Sequence, residues 1–151
     1  MRIPLKRLPH ARDLPLPAYA TAGSAGLDLL AANIDDIALE PMKRAAVSCG
    51  IAIALPAGFE AQVRPRSGLA LHHGVTVLNA PGTVDSDYRG EIKAILVNLG
   101  DTVFRVTRGM KIAQLVVTRH EHAELEEALE LPASKRDEGG FGSTGLSVNK
   151  A

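Results

Sequence analysis

Short apolar runs rich in Val, Ile and Leu recur along the chain, and Gly, Pro, Asn and Asp separate them. Many short runs at this spacing are typical of an all-β sandwich or barrel, whereas an α/β fold would alternate strands with helices. The predicted strands are Ile3–Leu8, Leu27–Ala31, Ile37–Leu39, Ala45–Leu55, Phe59–Arg64, Val75–Leu78, Glu91–Asn98, Thr102–Val106 and Lys111–Thr118.

Two segments are compatible with helix. Ser67–His73 begins with Ser67, a possible N-cap, and has room for one or two turns. In Ala123–Leu131 the spacing of Leu125, Ala128 and Leu129 is helical, and it leaves a helix and a non-helical segment both open.

The character of the chain changes near its end. Residues 132–138 are polar, and residues 139–145 are rich in glycine with one aromatic side chain, Phe141. Because such a sequence cannot build a packed core, we expect one folded domain over residues 1–133 and a mobile tail over residues 134–151.

Composition excludes several classes of function. Lys and Arg (17) balance Asp and Glu (17), so the chain lacks the positive excess of a general binder of nucleic acid or anionic membrane. The single cysteine, Cys49, excludes an intramolecular disulfide framework and is expected to be a small core residue. No signal-peptide pattern follows Met1, and the longest apolar run, residues 50–59, is too short to span a bilayer, so a cytoplasmic location is expected.

Two groups of polar residues could carry chemistry. Asp85 and Asp87 follow the Pro81-Gly82 turn signal, and a carboxylate there could activate water or bind a metal, although the spacing alone favours a turn with solvated carboxylates. Segment 64–68, Arg-Pro-Arg-Ser-Gly, could bind phosphate at a helix start, or it could be a surface turn with unrelated charges.

Two further features are less specific. Asp28 lies in an apolar strand, where a single acid is usually a paired structural carboxylate. The tail offers Arg136, Ser143 and Thr144 for anions and Phe141 for stacking, or it is a plain linker.

Taken together and in this order, these segments resemble the five motifs of the trimeric dUTP pyrophosphatases (dUTPases). The five matching segments are Ala25–Leu29, Pro65–Ala70, Asn79–Glu91, Arg108–Leu115 and Arg136–Gly145. The resemblance implies an all-β, jelly-roll-like β-barrel with at most one short helix and a flexible glycine-rich tail. It also implies a homotrimer with shared active sites, in which the tail of one chain closes a site formed by the others. Members of this family usually carry a strand where residues 123–131 lie.

The implied activity is hydrolysis of dUTP to dUMP and pyrophosphate, which lowers dUTP and supplies dUMP for thymidylate synthesis. By this resemblance, Asp85 activates the water that attacks the α-phosphorus. Mg²⁺ holds the triphosphate, and Asp28 and Gln114 contact the ion indirectly through water. The implied substrate-binding residues are Arg66, Ser67, Gly68, Asn79, Thr83, Val84, Tyr88, Lys93, Gln114, Arg136, Phe141, Ser143 and Thr144.

Among them, Asn79, Lys93 and the backbone near Thr83–Asp85 would recognise the uracil edge. Tyr88 would pack on the deoxyribose and exclude a 2′-hydroxyl, and Phe141 would stack on the base.

Two rival interpretations remain. The related dCTP deaminases share the fold and parts of the motifs, but Ile95 stands where their catalytic Glu is expected. A non-catalytic regulatory trimer would be favoured by loss of a catalytic position, and none of these positions is lost.

Overall fold

The computed structural model describes residues 1–143, which form eleven short strands, one α-helix and one 3-10 turn. The strands are β1 (Leu5–Arg7), β2 (Leu27–Leu30), β3 (Ile37–Leu39), β4 (Arg44–Ser48), β5 (Ile51–Ile53), β6 (Phe59–Arg64), β7 (Val75–Val77), β8 (Gly82–Val84), β9 (Lys93–Asn98), β10 (Phe104–Val106) and β11 (Lys111–Arg119). The helix, α1, spans Ser67–His73, and the 3-10 turn spans Pro9–Ala11.

Early strands pair with late strands in nested order. β2 pairs with β11, β3 with β10 and β4 with β9, and every pairing is antiparallel. The sheets have the strand orders β2-β11-β6-β8, β4-β9-β7, β3-β10 and β1-β5. Such nesting arises when a long hairpin folds over on itself, as in a jelly roll. The expected all-β, jelly-roll-like fold class is therefore confirmed.

The core lies between the inward faces of these sheets. Its fully buried side chains include Leu29, Leu39, Leu96 and Ile112. Cys49 belongs to the same cluster, and burial raises the pKa of its thiol to about 12, as fits a small core residue.

The predicted strand Ala45–Leu55 is two strands, β4 and β5. Cys49 and Gly50 interrupt it because Gly50 has a φ of 69°, which bends the chain, and because a Cβ there would collide with the methyl group of Ala11. Strand β8 was not predicted, since it begins within the Pro81-Gly82 turn signal; it forms by pairing with β6. The prediction of strand from Glu91 was also wrong, because β9 begins only at Lys93.

Helix α1 has the predicted bounds, but Ser67 is not its N-cap. Arg66 occupies the cap position, and no side chain caps the helix. The helix ends at Gly74, whose φ of 66° is left-handed and whose N–H donates to the carbonyls of Leu69 and Ala70. No helix within residues 1–143 is long and apolar enough to cross a membrane.

Residues 121–131, which we call the arm, are neither helix nor strand. The helix left open for Ala123–Leu131 is therefore absent. Every residue of the arm is exposed, and Leu125, Leu129 and Leu131 are 93%, 105% and 86% exposed. No surface of the described part of the chain packs against the leucines of the arm.

Candidate active site

Sheet pairing brings the first, second and fourth motif segments together. In the register of the sheet, Gln114 on β11 lies opposite Asp28 on β2 and opposite Arg64 on β6. Helix α1 follows β6 directly, so Ser67 and Gly68 enter the same region. These elements line an open cleft of about 650 Å³.

Asp28 is the only carboxylate among the described residues that line the cleft. Its Oδ2 lies 2.7 Å from Lys111 Nζ, and its Oδ1 lies 3.4 Å from Arg66 Nε. The paired-carboxylate interpretation is therefore confirmed. Both cations stay partly exposed, 34% for the Arg66 side chain and 50% for that of Lys111, so each can also face an anion in the cleft.

Lys111 was not among the predicted site residues. Residues three apart in a regular strand point to opposite faces, yet Lys111 and Gln114 both line the cleft. A β-bulge explains this, since β11 gains one residue relative to β2 between Lys111 and Ala113. Strict alternation of polar and apolar residues could not have revealed the bulge.

The amide of Gln114 is held in place from two sides. Its Nε2 donates to the carbonyl of Pro65 at 2.9 Å, just before helix α1. On the other side, a Cβ added to Gly26 would lie 2.5 Å from Gln114 Oε1. Only glycine at position 26 lets the first motif approach the fourth this closely.

The start of α1 leaves space for a ligand. Ser67 and Gly68 are exposed, and a Cβ added to Gly68 would meet no atom within 4 Å. The first N–H groups of a helix have no intrahelical acceptor and can bind anionic oxygens. The cleft carries Arg64, Arg66 and Lys111 against the single carboxylate of Asp28. Such an excess of positive charge suits a polyanionic ligand.

The third-motif residues lie elsewhere. Asn79, Thr83, Val84, Asp85, Tyr88 and Lys93 occupy the β7–β8 turn, strand β8, the following loop and the start of β9, and none of them lines the cleft. Asp85 is exposed directly after β8, and its carbonyl accepts a hydrogen bond from the Tyr88 N–H at 3.2 Å. Val84 is only 8% exposed, so its side chain is not available to a ligand.

The described fifth-motif residues also lie outside the cleft. Arg136 Nε donates to the Gly139 carbonyl at 2.6 Å, and the Ser143 N–H donates to the Gly140 carbonyl at 2.9 Å. Phe141 is completely exposed, at 114%. Thr144 lies outside the described residues. A single chain thus assembles three motifs in one cleft. The third motif reaches an adjoining groove, where Ala80 and Pro81 lie beside Pro65 and Gln114, and the described fifth-motif residues stay apart.

The donor set of the cleft fits one kind of metal site. Residues 1–143 contain no group of three or more His, Cys, Asp or Glu side chains that could hold an ion alone. One carboxylate and one amide, Asp28 and Gln114, instead fit an ion that keeps most of its water and takes phosphate oxygens as ligands. Mg²⁺ has this preference.

The fold and the cleft define a class: a jelly-roll-like β protein whose surface cleft suits a polyphosphate. Within that class, the chain belongs to the dUTPase family, whose model matches residues 12–145. The resemblance seen in the sequence is thereby confirmed.

Curated relatives agree with this assignment. Deoxyuridine 5'-triphosphate nucleotidohydrolase of Mesorhizobium japonicum is 57% identical over 141 residues, which cover 92% of this chain and 88% of that protein. The protein of the same name from Beijerinckia indica is 58% identical over 146 residues, with 95% and 91% coverage.

Among solved structures, a mutant dUTPase of Staphylococcus bacteriophage 80alpha with dUpNHpp superposes with a TM-score of 0.83. Its sequence identity is 23%, and the alignment covers 96% of this chain and 99% of that chain. A mutant dUTPase of phage phi11 of S. aureus, described with a structural Mg(II) ion, gives a TM-score of 0.78 at 19% identity, with 88% and 100% coverage. These distant structures support the fold.

Proposed function

We propose that this protein is a dUTP diphosphatase, which hydrolyses dUTP to dUMP and pyrophosphate. One observation carries the proposal: the cleft brings Asp28, Arg66 and Gln114 together in an arrangement suited to a triphosphate. Relatives that share more than half of their residues with this chain carry the corresponding enzyme name. The reaction removes dUTP and yields dUMP for thymidylate synthesis, and a cytoplasmic location fits it.

The triphosphate would lie in the cleft against Arg66 and the first turn of α1. Arg66 Nη1 donates to the Lys111 carbonyl at 3.0 Å, which fixes the guanidinium beside the phosphates. Asp85 acts as general base toward the water that attacks the α-phosphorus, in line with the leaving pyrophosphate. Mg²⁺, reached through water by Asp28 and Gln114, supplies neutralisation of phosphate charge when bound.

Substrate selectivity rests on the third motif. Asn79, Lys93 and the backbone of Thr83 and Val84 recognise the uracil edge, because a base with reversed donors and acceptors would leave buried polar groups unpaired. Tyr88 packs on the deoxyribose. Ile95, a partly buried residue of β9, supplies no carboxylate for deamination, which disfavours the dCTP deaminase alternative.

The active site is shared within a homotrimer. Two observations support this: Asp85 and Tyr88 do not line the cleft of their own chain, and the exposed arm needs a partner. Four of the six odd-numbered positions of the arm are apolar: Ala123, Leu125, Leu129 and Leu131, with Glu121 and Glu127 as the exceptions. The even-numbered positions carry His122, Glu124, Glu126, Ala128 and Glu130. Interrupted at Glu127, this period of two is that of a strand with one largely apolar face, which can add to the sheet of a neighbouring copy.

The body of the chain offers a surface of matching chemistry. An apolar groove of about 140 Å³ is lined by side chains of strands β1, β5, β2 and β11. Ile3, Leu27, Ile53 and Leu115 contribute to its walls. Burial of one arm leucine contributes about 1.5–3 kcal/mol, so the arms stabilise the assembly substantially.

Substituting two arm leucines tests the assembly. We expect the wild-type chain to scatter light as three chains, and the double variant Leu125→Asp, Leu129→Asp to scatter as a smaller species. The matched control, Glu124→Gln with Glu126→Gln, changes charge on the other face and should remain trimeric. A double variant that stays trimeric would remove the arm from the interface.

The segment from residue 134 onward acts as a lid on the site, which places the domain boundary after Ala133. The hydrogen bonds described for Arg136 and Ser143 are local, so closure of residues 134–143 onto a triphosphate breaks none that joins these two residues to the body of the chain. On closure Arg136, Ser143 and Thr144 hold the outer phosphates. Phe141 stacks on uracil, a contact worth about 1–3 kcal/mol.

A pyrophosphate-release assay tests the activity. Wild-type protein with Mg²⁺ should release pyrophosphate from dUTP far faster than from dTTP, dCTP or UTP. Asp85→Asn should retain its melting temperature and its dUTP binding but lose about 10²–10⁴-fold in turnover, the usual contribution of a general base. Asp87→Asn in the same loop is the control. Near-normal turnover of Asp85→Asn would show that another group activates the water.

A further inference from the structure

Glu91 lies at the end of the loop that carries Asp85 and Tyr88, and its carboxylate is held from three directions. Oε1 accepts hydrogen bonds from the Gly50 N–H and from His10 Nε2, each at 2.9 Å. Oε2 accepts one from Ser48 Oγ at 3.3 Å. The side chain is only 17% exposed. Through these hydrogen bonds the Glu91 carboxylate joins the loop between β8 and β9 to the 3-10 turn and to the bend between β4 and β5.

Tyr88 is attached to the same point. Its hydroxyl donates to the Glu91 carbonyl at 3.0 Å. Its ring lies directly over Gly90, where an added Cβ would collide with the hydroxyl end of the ring. Together with the bond from the Tyr88 N–H to the Asp85 carbonyl, these contacts fix the direction of the ring. Nevertheless 46% of Tyr88 remains exposed, so one side can meet a ligand.

We infer that Glu91, braced by His10, is a positioning residue that holds Tyr88 for discrimination between deoxyribose and ribose. Discrimination against one hydroxyl depends on a rigid surface, because a ring that can retreat by about 1 Å admits the larger sugar. Loss of the carboxylate leaves the Gly50 N–H and Ser48 without their acceptor and releases the backbone to which Tyr88 is bonded. The inference rests on the proposed function, since it assigns Tyr88 to the sugar.

The test measures kcat/KM for dUTP and for UTP in Glu91→Ala, in Tyr88→Phe and in the double variant. We expect Glu91→Ala to lower the dUTP/UTP ratio on the order of 10-fold, within the range of couplings between contacting residues. Tyr88→Phe keeps the ring but loses the bond to Glu91, so it should lower the ratio in the same direction. In the Tyr88→Phe background, Glu91→Ala should then lower the ratio by less than it does in the wild-type background. The reason is that both changes weaken the same attachment of Tyr88 to position 91.

If Glu91 only stabilised the fold, its loss would act like that of a buried core side chain. Val106→Ala, in a fully buried position of β10, should lower the melting temperature and leave the ratio unchanged. If Glu91→Ala does not fold, Glu91→Gln decides the question. Its amide has the same shape, but its NH2 group cannot accept the hydrogen bond that Oε2 takes from Ser48, so the ratio should still fall, by less than in Glu91→Ala.

An unchanged ratio in a folded Glu91 variant, or equal losses from Glu91→Ala in both backgrounds, would overturn the inference. Failure of the wild-type protein to hydrolyse dUTP would instead overturn the proposed function. The two failures are therefore distinguishable.

Discussion

Within residues 1–143, Asn98 is the only polar residue of the buried core, with 0% exposure, and both the nitrogen and the oxygen of its amide are hydrogen-bonded. Nδ2 donates to the carbonyls of Leu39 and Thr102, each at 2.8 Å, and Oδ1 accepts from the Gly100 N–H at 2.9 Å. This side chain thus ties the end of β9 to the end of β3 and closes the following turn.

The same turn supports the cleft from behind. Gly100 packs against Gly74, the residue that ends α1, so closely that a Cβ on Gly74 would lie 2.5 Å from the Gly100 nitrogen. The Leu99 N–H also donates to the Gly74 carbonyl at 2.9 Å. If the turn that Asn98 closes becomes looser, the position of α1 and the shape of the cleft should therefore change as well.

Asn98→Leu keeps a similar volume but removes all three hydrogen bonds. Each buried group left without a partner costs about 1–3 kcal/mol, whereas the added apolar burial returns about 1.5–3 kcal/mol. With three groups left unpaired, the net loss of unfolding free energy is then about 1.5–6 kcal/mol. At about 2–4 °C per kcal/mol for a chain of this size, the melting temperature should fall by about 3–24 °C.

Urea unfolding followed by far-UV circular dichroism measures this loss. Leu99→Ala, at the next position and 56% exposed, is the control and should change the free energy of unfolding by less than about 1 kcal/mol. An Asn98→Leu variant within 1 kcal/mol of wild type, with an unchanged slope against urea, would refute the reasoning.

Two further predictions concern the tail and the N-terminal segment. A chain that ends at Ala133 should keep its melting temperature and its trimer but lose most dUTP hydrolysis in the pyrophosphate assay; full activity would exclude the lid. Two hydrogen bonds from Arg108, at 2.6 and 3.0 Å, hold the pKa of Asp13 below its usual value. The stability that they contribute is present above about pH 4 and is lost as pH falls through the lower folded pKa. Thermal scans should therefore show Asp13→Asn less stable than wild type at neutral pH, and the gap should close in acid.

The sequence predicted most strands because apolar side chains must alternate or cluster wherever a sheet covers the core. It missed features in which one backbone position overrides the pattern. The run Ala45–Leu55 is apolar throughout, and only the left-handed Gly50 divides it. Lys111 joined the cleft only through the β-bulge beside it. The conformation of a glycine and the register of a strand depend on neighbouring elements, so a local pattern of apolar residues does not predict them.

The residues of the candidate site were predicted, but their arrangement was predicted only in part. Asp28, Arg66, Ser67, Gly68 and Gln114 were all predicted, and sheet pairing brings them into one cleft. Asp85 and Tyr88 were predicted as well, yet their own chain places them outside it. A motif can identify residues that act together without showing whether one chain or several supply them.

The arm makes that point most clearly. Leu125, Ala128 and Leu129 have helical spacing, while Leu125, Leu129 and Leu131 would share one face of a strand that only Glu127 interrupts. Nine residues can satisfy both periods, so the surface that covers them must decide between the two. The described body of the chain covers none of these leucines, and the arm accordingly adopts neither structure. In the proposed trimer a neighbouring copy supplies that surface, so the conformation of the arm and completion of the active site depend on the same assembly step.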